Sequence, residues 1–295
     1  MPPSSTQTQV SPSVPSPVRG RFAPTPSGPL HAGSVLAAIG SYLSAKGTGG
    51  LWYLRMEDLD RPRLQPGAAS AILAQLEALA LEWDGAILWQ SQHLERYGAA
   101  LNRLMATGVA YPCGCSRTAL QQTAGNCPCM ERPPAKARAW RLRPGPRAME
   151  TWEDRWRGPQ HPTVQHPPPA LLRADQIIAY VLASVVDDDF QGVSEVVRGE
   201  DLLPLTGVQR QLQAVLDLPH PEYAHLPLLR DDRGRKLSKS AGAPSVAGSP
   251  GRAWEFCLRY LGWDLPADLM GADATTWRNW AIKRLHCGAP LWPQG

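Results

Sequence analysis

Residues 21–34 read RFAPTPSGPLHAGS, an irregular stretch that we expect to decide the fold. Its prolines and glycines are typical of a loop, whereas VRGRF before it is typical of a strand and VLAAIGSYLSAK after it of an amphipathic helix. Open α/β sheets bind phosphorylated ligands on such a loop, because backbone N–H groups and the helix dipole favour an anion there. His31 could donate to a phosphate, and Gly33 could let a flat base approach the backbone. The alternative is a proline-rich connection with a surface histidine, and the loop alone leaves both open.

The composition is that of an ordinary water-soluble chain. Its 295 residues are enough for one sizeable domain and a smaller one, and its net charge of +4 is compatible with a polyanionic partner. No run of eighteen apolar residues occurs, so we expect no membrane span. Residues 1–18 are rich in Pro, Ser, Thr and Gln and lack the pattern of a secretory signal. We therefore expect a disordered tail on a cytoplasmic protein, a location in which disulfides are rare.

Strand-like and helix-like segments alternate after the first loop. LWYLRMED, residues 51–58, is typical of a strand, and PGAASAILAQLEALALEW, residues 66–83, of a helix with Pro at its start. QHLERYGAALNRLMATG indicates a further helix that ends at Gly108. This order predicts a parallel sheet covered by helices.

Four of the six cysteines lie in a segment rich in Gly and Pro. They form two C-x-C pairs, namely Cys113 with Cys115 and Cys127 with Cys129. In an intracellular protein such pairs are typical of a tetrahedral Zn²⁺ site, here structural and one per chain, because four thiolates leave no open position. Four scattered core cysteines are the alternative, although Pro112, Gly114 and Pro128 make poor core neighbours. Cys257 and Cys287 stand among apolar residues, and we expect both to be packing thiols.

A second loop, KLSKS at residues 236–240, carries two lysines that suit a polyphosphate leaving group. Alone it would be read as a solvated basic loop. Together with PLHAGS, however, it resembles the two signatures of class I aminoacyl-tRNA synthetases. RFAPTPSG, RMEDLD, AYVLASVVDDDFQGVSEVVRGEDLL and HLPLL resemble the glutamyl branch of that class, over roughly residues 19–243. The resemblance is closest to truncated paralogues that attach glutamate to the queuosine base of tRNA(Asp).

The resemblance implies an α/β fold. The expected core is a Rossmann-type parallel-sheet nucleotide-binding domain with a zinc-binding insert and a short helical C-terminal region. We expect the tail over 1–18, the first half of the catalytic domain over 19–110 and the insert over 111–135. The remainder of the catalytic domain, with the KLSKS loop, is expected over 136–243. Residues 244–295 are expected to form the helical region, with no anticodon-binding domain.

The resemblance also implies a site for L-glutamate and ATP, the latter with Mg²⁺. The residues implied for glutamate are Arg21, Phe22, Ala23, Pro24, Thr25, Glu57, Tyr180 and Arg198; those implied for ATP are His31, Gly33, Lys236 and Lys239. Two arginines fit a dicarboxylate, because the guanidinium forms bidentate contacts with carboxylates. Glu57 matches the residue that holds the substrate ammonium, and Tyr180 the one that bonds the substrate side chain. Without the resemblance, Glu57 would be read as an ordinary strand-end carboxylate and Tyr180 as a half-buried aromatic.

Two details depart from the family pattern, one at the end of the first signature and the other at Asp175-Gln176, where relatives often have Asp-Gly. The first signature ends in Ser34, where relatives carry a second histidine, so His31 is its only imidazole. The run Asp187–Asp189 is assigned no catalytic role and is read as a solvated strand end.

The expected reaction is ATP-dependent activation of glutamate and its transfer to queuosine in tRNA(Asp). Three alternatives remain: a conventional glutamyl-tRNA synthetase, a catalytically inactive tRNA-binding paralogue, and an adenylate-forming enzyme that does not use RNA.

Overall fold

The computed structural model describes residues 17–229 and 249–292. Within these residues the chain forms ten strands and eight α-helices. The strands are β1 (Arg19–Phe22), β2 (Leu51–Met56), β3 (Leu88–Trp89), β4 (Ala110–Cys113), β5 (Ala139–Leu142), β6 (Trp152–Asp154), β7 (Gly158–Gln160), β8 (Ala170–Leu172), β9 (Glu195–Gly199) and β10 (Glu222–Leu226). The helices are α1 (Ala32–Lys46), α2 (Ala68–Ala78), α3 (Leu94–Ala106), α4 (Arg117–Gln122), α5 (Tyr180–Phe190), α6 (Leu203–Val215), α7 (Pro250–Tyr260) and α8 (Ala274–His286).

Parallel strands form the centre of the molecule, as the alternating pattern predicted. One sheet has the order β1-β2-β3, and a second has the order β7-β6-β10-β9 with β7 as its antiparallel edge. The two sheets adjoin where the Ser194 N–H donates to the Arg19 carbonyl at 2.9 Å, just before β9. The carboxyl ends of β1, β2, β9 and β10 therefore lie along one edge, where open α/β sheets bind their ligands.

Helix α1 lies across the parallel strands and is buried along most of its length. Burial along most of its faces explains its largely apolar composition, and its two buried serines both form hydrogen bonds, Ser44 by donating to Glu195 of β9. Ser41 donates to the Ala38 carbonyl at 3.0 Å and accepts from the Trp52 indole N–H at 2.9 Å. The helix thus fixes β2 relative to the loop that leaves β1.

The C-terminal helices α7 and α8 share the core of the parallel sheet. Trp254 and Trp277 are fully buried in the same apolar cluster as Ile39 and Leu43 of α1. The Trp254 indole N–H donates to the Leu79 carbonyl at 2.9 Å, which ties α7 to the end of α2. The helical region is therefore packed as part of the main core.

A small antiparallel sheet, with the order β4-β5-β8, carries the cysteine segment. Cys113 ends β4, Cys115 lies in the loop before α4, and Cys127 and Cys129 lie at the short 3-10 helix Pro128–Met130 that follows α4. A second apolar cluster, which includes residues of α3, α5 and α6, packs beside this sheet.

Two expectations from the sequence are wrong. Asp187–Asp189 are not a strand end but lie in α5, where Asp187 and Asp188 are buried and Asp189 is exposed. Cys257 is a buried packing thiol as expected, but Cys287 follows the last turn of α8 and is exposed. In the part of the chain that the structure describes, every helix is too short or too polar to cross a bilayer.

Candidate active site

A cavity of about 590 Å³ opens at the carboxyl ends of β1, β2, β9 and β10. It is lined by the described residues of the predicted site, which are Arg21, Phe22, Ala23, Pro24, Thr25, His31, Gly33, Glu57, Tyr180 and Arg198. Residues far apart in sequence thus meet in one place. Lys236 and Lys239, the remaining two of the predicted site, lie outside the described residues.

His31 occupies the N-cap of α1, at the rim of the cavity. Its Nδ1 accepts from the Ser34 N–H at 3.2 Å, and its Nε2 lies 3.2 Å from the Ser34 hydroxyl. A Cβ at Gly33 would lie only 3.2 Å from the imidazole, so glycine leaves room for the ring to cap the helix. The first turn of α1 contains no acidic residue, so the partial positive charge of its N-terminus is not neutralised locally.

The loop that follows β1 is fixed to its surroundings by backbone contacts. The Glu57 N–H donates to the Pro24 carbonyl at 3.0 Å, and the Gln75 side chain accepts from the Leu30 N–H at 2.7 Å. The prolines and these contacts restrict the conformation of the loop, and residues 22–25 line the cavity.

Beneath the cavity a buried network orients Arg21. Its Nε donates to Asp188 Oδ1 at 3.1 Å, and Arg55 Nη2 donates to the same oxygen at 2.8 Å. Burial raises the pKa of the Asp188 carboxyl, but the two guanidiniums outweigh this effect and hold the pKa below its usual range. Arg55 is fully buried, and its Nε lies 3.8 Å from Asp187 Oδ2.

Glu57 follows β2 and contributes a carboxylate to the same cavity. Its Oε1 is buried, accepts no hydrogen bond from the described residues and lies 3.9 Å from Arg55 Nε. Burial raises the pKa of Glu57 to about 7, even though the guanidiniums of Arg55 and Arg21 oppose that shift. A buried carboxylate oxygen without a donor is a receptor for a cation or a donor supplied by a ligand.

Arg198, one residue before the end of β9, is a buried cation without a carboxylate partner among the described residues. Its contacts are all to neutral groups: His225 Nε2, Tyr180 Oη, the Leu202 carbonyl, Thr206 Oγ1 and Gln209 Oε1, at 2.7–3.4 Å. It is only 5% exposed. An arginine held in this way is suited to bind an anionic ligand, because its charge is not neutralised by the protein.

Sequence reasoning missed the residues that position this site. Arg55 and Asp188 orient Arg21, and His225 with Asp154 lies behind Arg198. The only signal was the occurrence of a charged residue inside an apolar run, as in LWYLRM and VVDDDF. Arg55 and Asp188 lie more than a hundred residues apart, so the pattern alone could not pair them.

The four cysteines of the insert lie together, as their spacing predicted. Their Sγ atoms are all within 4.8 Å of one another, with 3.4 Å between Cys113 and Cys127 and 3.6 Å between Cys115 and Cys129. Four sulfurs at about 2.3 Å from a tetrahedral Zn²⁺ would lie about 3.8 Å apart, so the set fits this metal. The Gly114 N–H points at Cys129 Sγ from 3.4 Å and Arg141 Nε at Cys113 Sγ from 3.3 Å, which favours thiolates.

The sequence of the chain is similar to those of known synthetases, in agreement with the composition of this site. The model of the family "tRNA synthetases class I (E and Q), catalytic domain" matches residues 17–154 and 140–261. The glutamyl-Q tRNA(Asp) synthetase of Geobacter sulfurreducens is 46% identical over 94% of this chain and 95% of its own length. That of Bordetella bronchiseptica is 50% identical over 93% of each chain.

A solved structure, the glutamate-tRNA synthetase from Elizabethkingia anophelis, is similar with a TM-score of 0.71 at 25% identity. The match covers 88% of this chain and 65% of that one, so the chain spans less than two thirds of that synthetase. The chain therefore belongs to the class I tRNA synthetases for glutamate and glutamine, and within them to the glutamyl-Q tRNA(Asp) synthetases.

Proposed function

We propose that this protein activates L-glutamate with ATP and transfers the glutamyl group to the queuosine base of tRNA(Asp). The observation that carries the proposal is a pair of groups in one cavity, as seen among the described residues: Arg198, which has no carboxylate partner, and Glu57 Oε1, which accepts no hydrogen bond and only approaches Arg55 Nε at 3.9 Å. A dicarboxylate with an ammonium group supplies both missing partners. The relatives named above carry the name of this activity.

The proposed site assigns every predicted residue to one of two substrates. Glutamate is bound by Arg21, Phe22, Ala23, Pro24, Thr25, Glu57, Tyr180 and Arg198, and ATP by His31, Gly33, Lys236 and Lys239. In this arrangement Glu57 takes the ammonium, while the two arginines take the carboxylates. The N-terminus of α1 favours the phosphates of ATP, with His31 beside them.

Activation needs no general base, because the α-carboxylate of glutamate is itself the nucleophile. It attacks the α-phosphorus of ATP, the bond to the bridging oxygen breaks, and pyrophosphate leaves with that electron pair. Mg²⁺ that accompanies ATP would neutralise charge on the departing pyrophosphate. A hydroxyl of the queuosine cyclopentenediol then attacks the glutamyl carbonyl and forms an ester, while the anhydride bond to phosphate breaks and AMP leaves with that electron pair and takes the hydroxyl proton on its phosphate. The protein contributes orientation and charge stabilisation.

We further propose that the cysteine cluster holds one structural Zn²⁺. All four thiolates would be ligands, which leaves no position for a substrate or water. The catalytic domain would extend over residues 19–243 with the insert at 111–135. Because the reaction consumes ATP and tRNA, we place the enzyme in the cytoplasm.

The acceptor is tested with labelled glutamate and four RNAs. We expect label on tRNA(Asp) that contains queuosine, and none on queuosine-free tRNA(Asp) or on tRNA(Glu). Removal of the 3′-terminal adenosine from the queuosine-containing tRNA should leave the reaction intact, since the acceptor is the modified base. Charging of tRNA(Glu) at its 3′ end would instead identify a conventional synthetase. A chain with no glutamate-dependent ATP–pyrophosphate exchange would be an inactive paralogue.

Glu57 makes glutamate binding dependent on pH. Its carboxyl, with a pKa of about 7, must be ionised to pair with the substrate ammonium, so affinity rises as the pH rises through 7. We expect the KM for glutamate in ATP–pyrophosphate exchange to be roughly tenfold lower at pH 8 than at pH 6. The Glu57→Gln variant should bind glutamate weakly with a flat profile over this range. A wild-type KM that does not change between pH 6 and pH 8 would remove this role from Glu57.

A further inference from the structure

A buried pair, Asp154 and His225, lies behind Arg198 and takes no part in the steps described above. Asp154 ends β6 and His225 lies in β10, and both side chains are fully buried. His225 Nδ1 is 2.6 Å from Asp154 Oδ2, and His225 Nε2 is 3.0 Å from Arg198 Nε. A carboxylate, an imidazole and a guanidinium thus form one line that ends at the cavity.

The donors in this line determine the histidine tautomer. The Arg198 Nε–H can only donate, so His225 Nε2 must carry a lone pair and Nδ1 must carry the proton. The Nδ1–H then donates to Asp154, whose other oxygen accepts the N–H groups of Trp156, Arg157 and His225 at 2.8–3.1 Å. Burial lowers the pKa of His225 to about 4, against the opposing effect of Asp154, so the ring is neutral at physiological pH.

The remaining contacts of Arg198 show which of its nitrogens are engaged by the protein and which can bind a ligand. Nη2 donates to Thr206 Oγ1 at 2.9 Å and to Gln209 Oε1 at 2.7 Å, and Nε is engaged by His225. The Thr206 hydroxyl also lies 3.2 Å from His225 Nε2, so it can donate to the ring while its oxygen accepts from Arg198. Of the terminal nitrogens, Nη1 is the less committed, since its described partner is Tyr180 Oη at 3.1 Å.

We propose that His225, held in its Nδ1–H tautomer by Asp154, is a positioning residue that orients Arg198 for a substrate carboxylate. The inference rests on the proposed role of Arg198 in binding glutamate. Because a guanidinium binds a carboxylate best in a fixed plane, loss of the acceptor at Nε weakens glutamate binding. Among the described residues, the contacts of Arg198 and His225 do not include His31 or Gly33 of the proposed ATP subsite.

The Asp154→Asn variant tests the tautomer directly. Its remaining oxygen can still accept the backbone N–H groups, while its amide donates to Nδ1 and forces the proton to Nε2, where it faces the Arg198 Nε–H. We expect the KM for glutamate in ATP–pyrophosphate exchange to rise roughly 10- to 100-fold, as for loss of a charged hydrogen bond. The KM for ATP and kcat should stay within about twofold, because the lost contact acts on glutamate binding alone.

Nitrogen NMR of the imidazole provides a readout that does not depend on activity. The wild-type ring should carry its proton on Nδ1, and the Asp154→Asn ring on Nε2. Where Asp154→Asn does not fold, the pair His225→Gln and His225→Leu replaces it: the glutamine oxygen can accept from Arg198 and should retain more glutamate affinity than leucine. Val196→Ala, a buried neighbour in β9 outside the cavity, controls for lost stability and should leave the KM for glutamate unchanged.

Two results would overturn the inference while leaving the proposed function in place. One is a wild-type ring protonated on Nε2; the other is a normal KM for glutamate in Asp154→Asn or in His225→Leu. A wild-type protein with no glutamate-dependent exchange would overturn the proposed function itself and this role of His225 with it.

Discussion

Replacement of Asp188 by alanine should lower the free energy of unfolding by about 3–5 kcal/mol, the usual cost of breaking a buried ion pair from one side. The reason is that Asp188 Oδ1 accepts from both Arg21 and Arg55, which are 4% and 0% exposed. Without that carboxylate Arg21 loses its ion-pair partner among the described residues, and buried Arg55 keeps only its longer contacts to Asp187 and Glu57, at 3.8 and 3.9 Å. Urea unfolding of the variant and the wild type measures the difference.

The neighbouring positions supply matched controls. Asp189→Ala changes the same residue type one position later, on the exposed side of α5, and should alter stability by less than about 0.5 kcal/mol. Asp188→Asn keeps an oxygen at the position that accepts both hydrogen bonds but removes the charge, so its loss should fall between the two alanine variants. Equal stability of Asp188→Ala and Asp189→Ala would contradict the network.

The same network makes stability depend on pH with a definite sign. The arginines hold the pKa of Asp188 below its usual range, so the stabilisation is present above the ordinary carboxylate pKa and is lost as the pH falls through the lowered value. The Asp188→Asn variant should therefore lose less stability than the wild type on acidification.

The burial of Asp187 and Asp188 is a feature that could not be predicted from local sequence. Local pattern sufficed for the loop over 21–34, for the individual strands and helices around it and for the cysteine cluster, because each of these features is encoded by residues close together in sequence. Asp187 and Asp188 were misread because their burial depends on cations from β2 and β1, more than a hundred residues away. A run of three like charges is ordinarily a solvated surface, and only long-range pairing reverses that expectation.

The C-terminal region gives a second example. Its helices were predicted from their composition, but not their place in the main core, where Trp254 and Trp277 pack against α1. Amphipathic periodicity tells which face of a helix is buried, not which element covers it. His225 was missed for the same reason, since its role depends on Asp154 and Arg198 in two neighbouring strands.

The largest local effect should come from the cysteine cluster. We expect freshly purified protein to contain one zinc per chain by elemental analysis, because the four sulfurs fit a tetrahedral ion. In Cys129→Ala the metal should be lost and the insert should open, since structural zinc contributes on the order of 10 kcal/mol to local folding. Cys287→Ser, an exposed cysteine outside the cluster, should keep its zinc.

Hydrogen exchange can distinguish unfolding of the insert alone from unfolding of the whole protein. Tyr111, Leu120 and the cysteines form a small apolar cluster of their own, distinct from the core that α1 shares with the parallel sheet. Amides of β4 and α4 should therefore exchange rapidly in Cys129→Ala, while those of β1, β2 and α1 remain protected. Absence of zinc in freshly purified wild-type protein would refute the metal site. Rapid exchange across the parallel sheet in the variant would show that the insert is integral to the main core, because the two clusters would then unfold together.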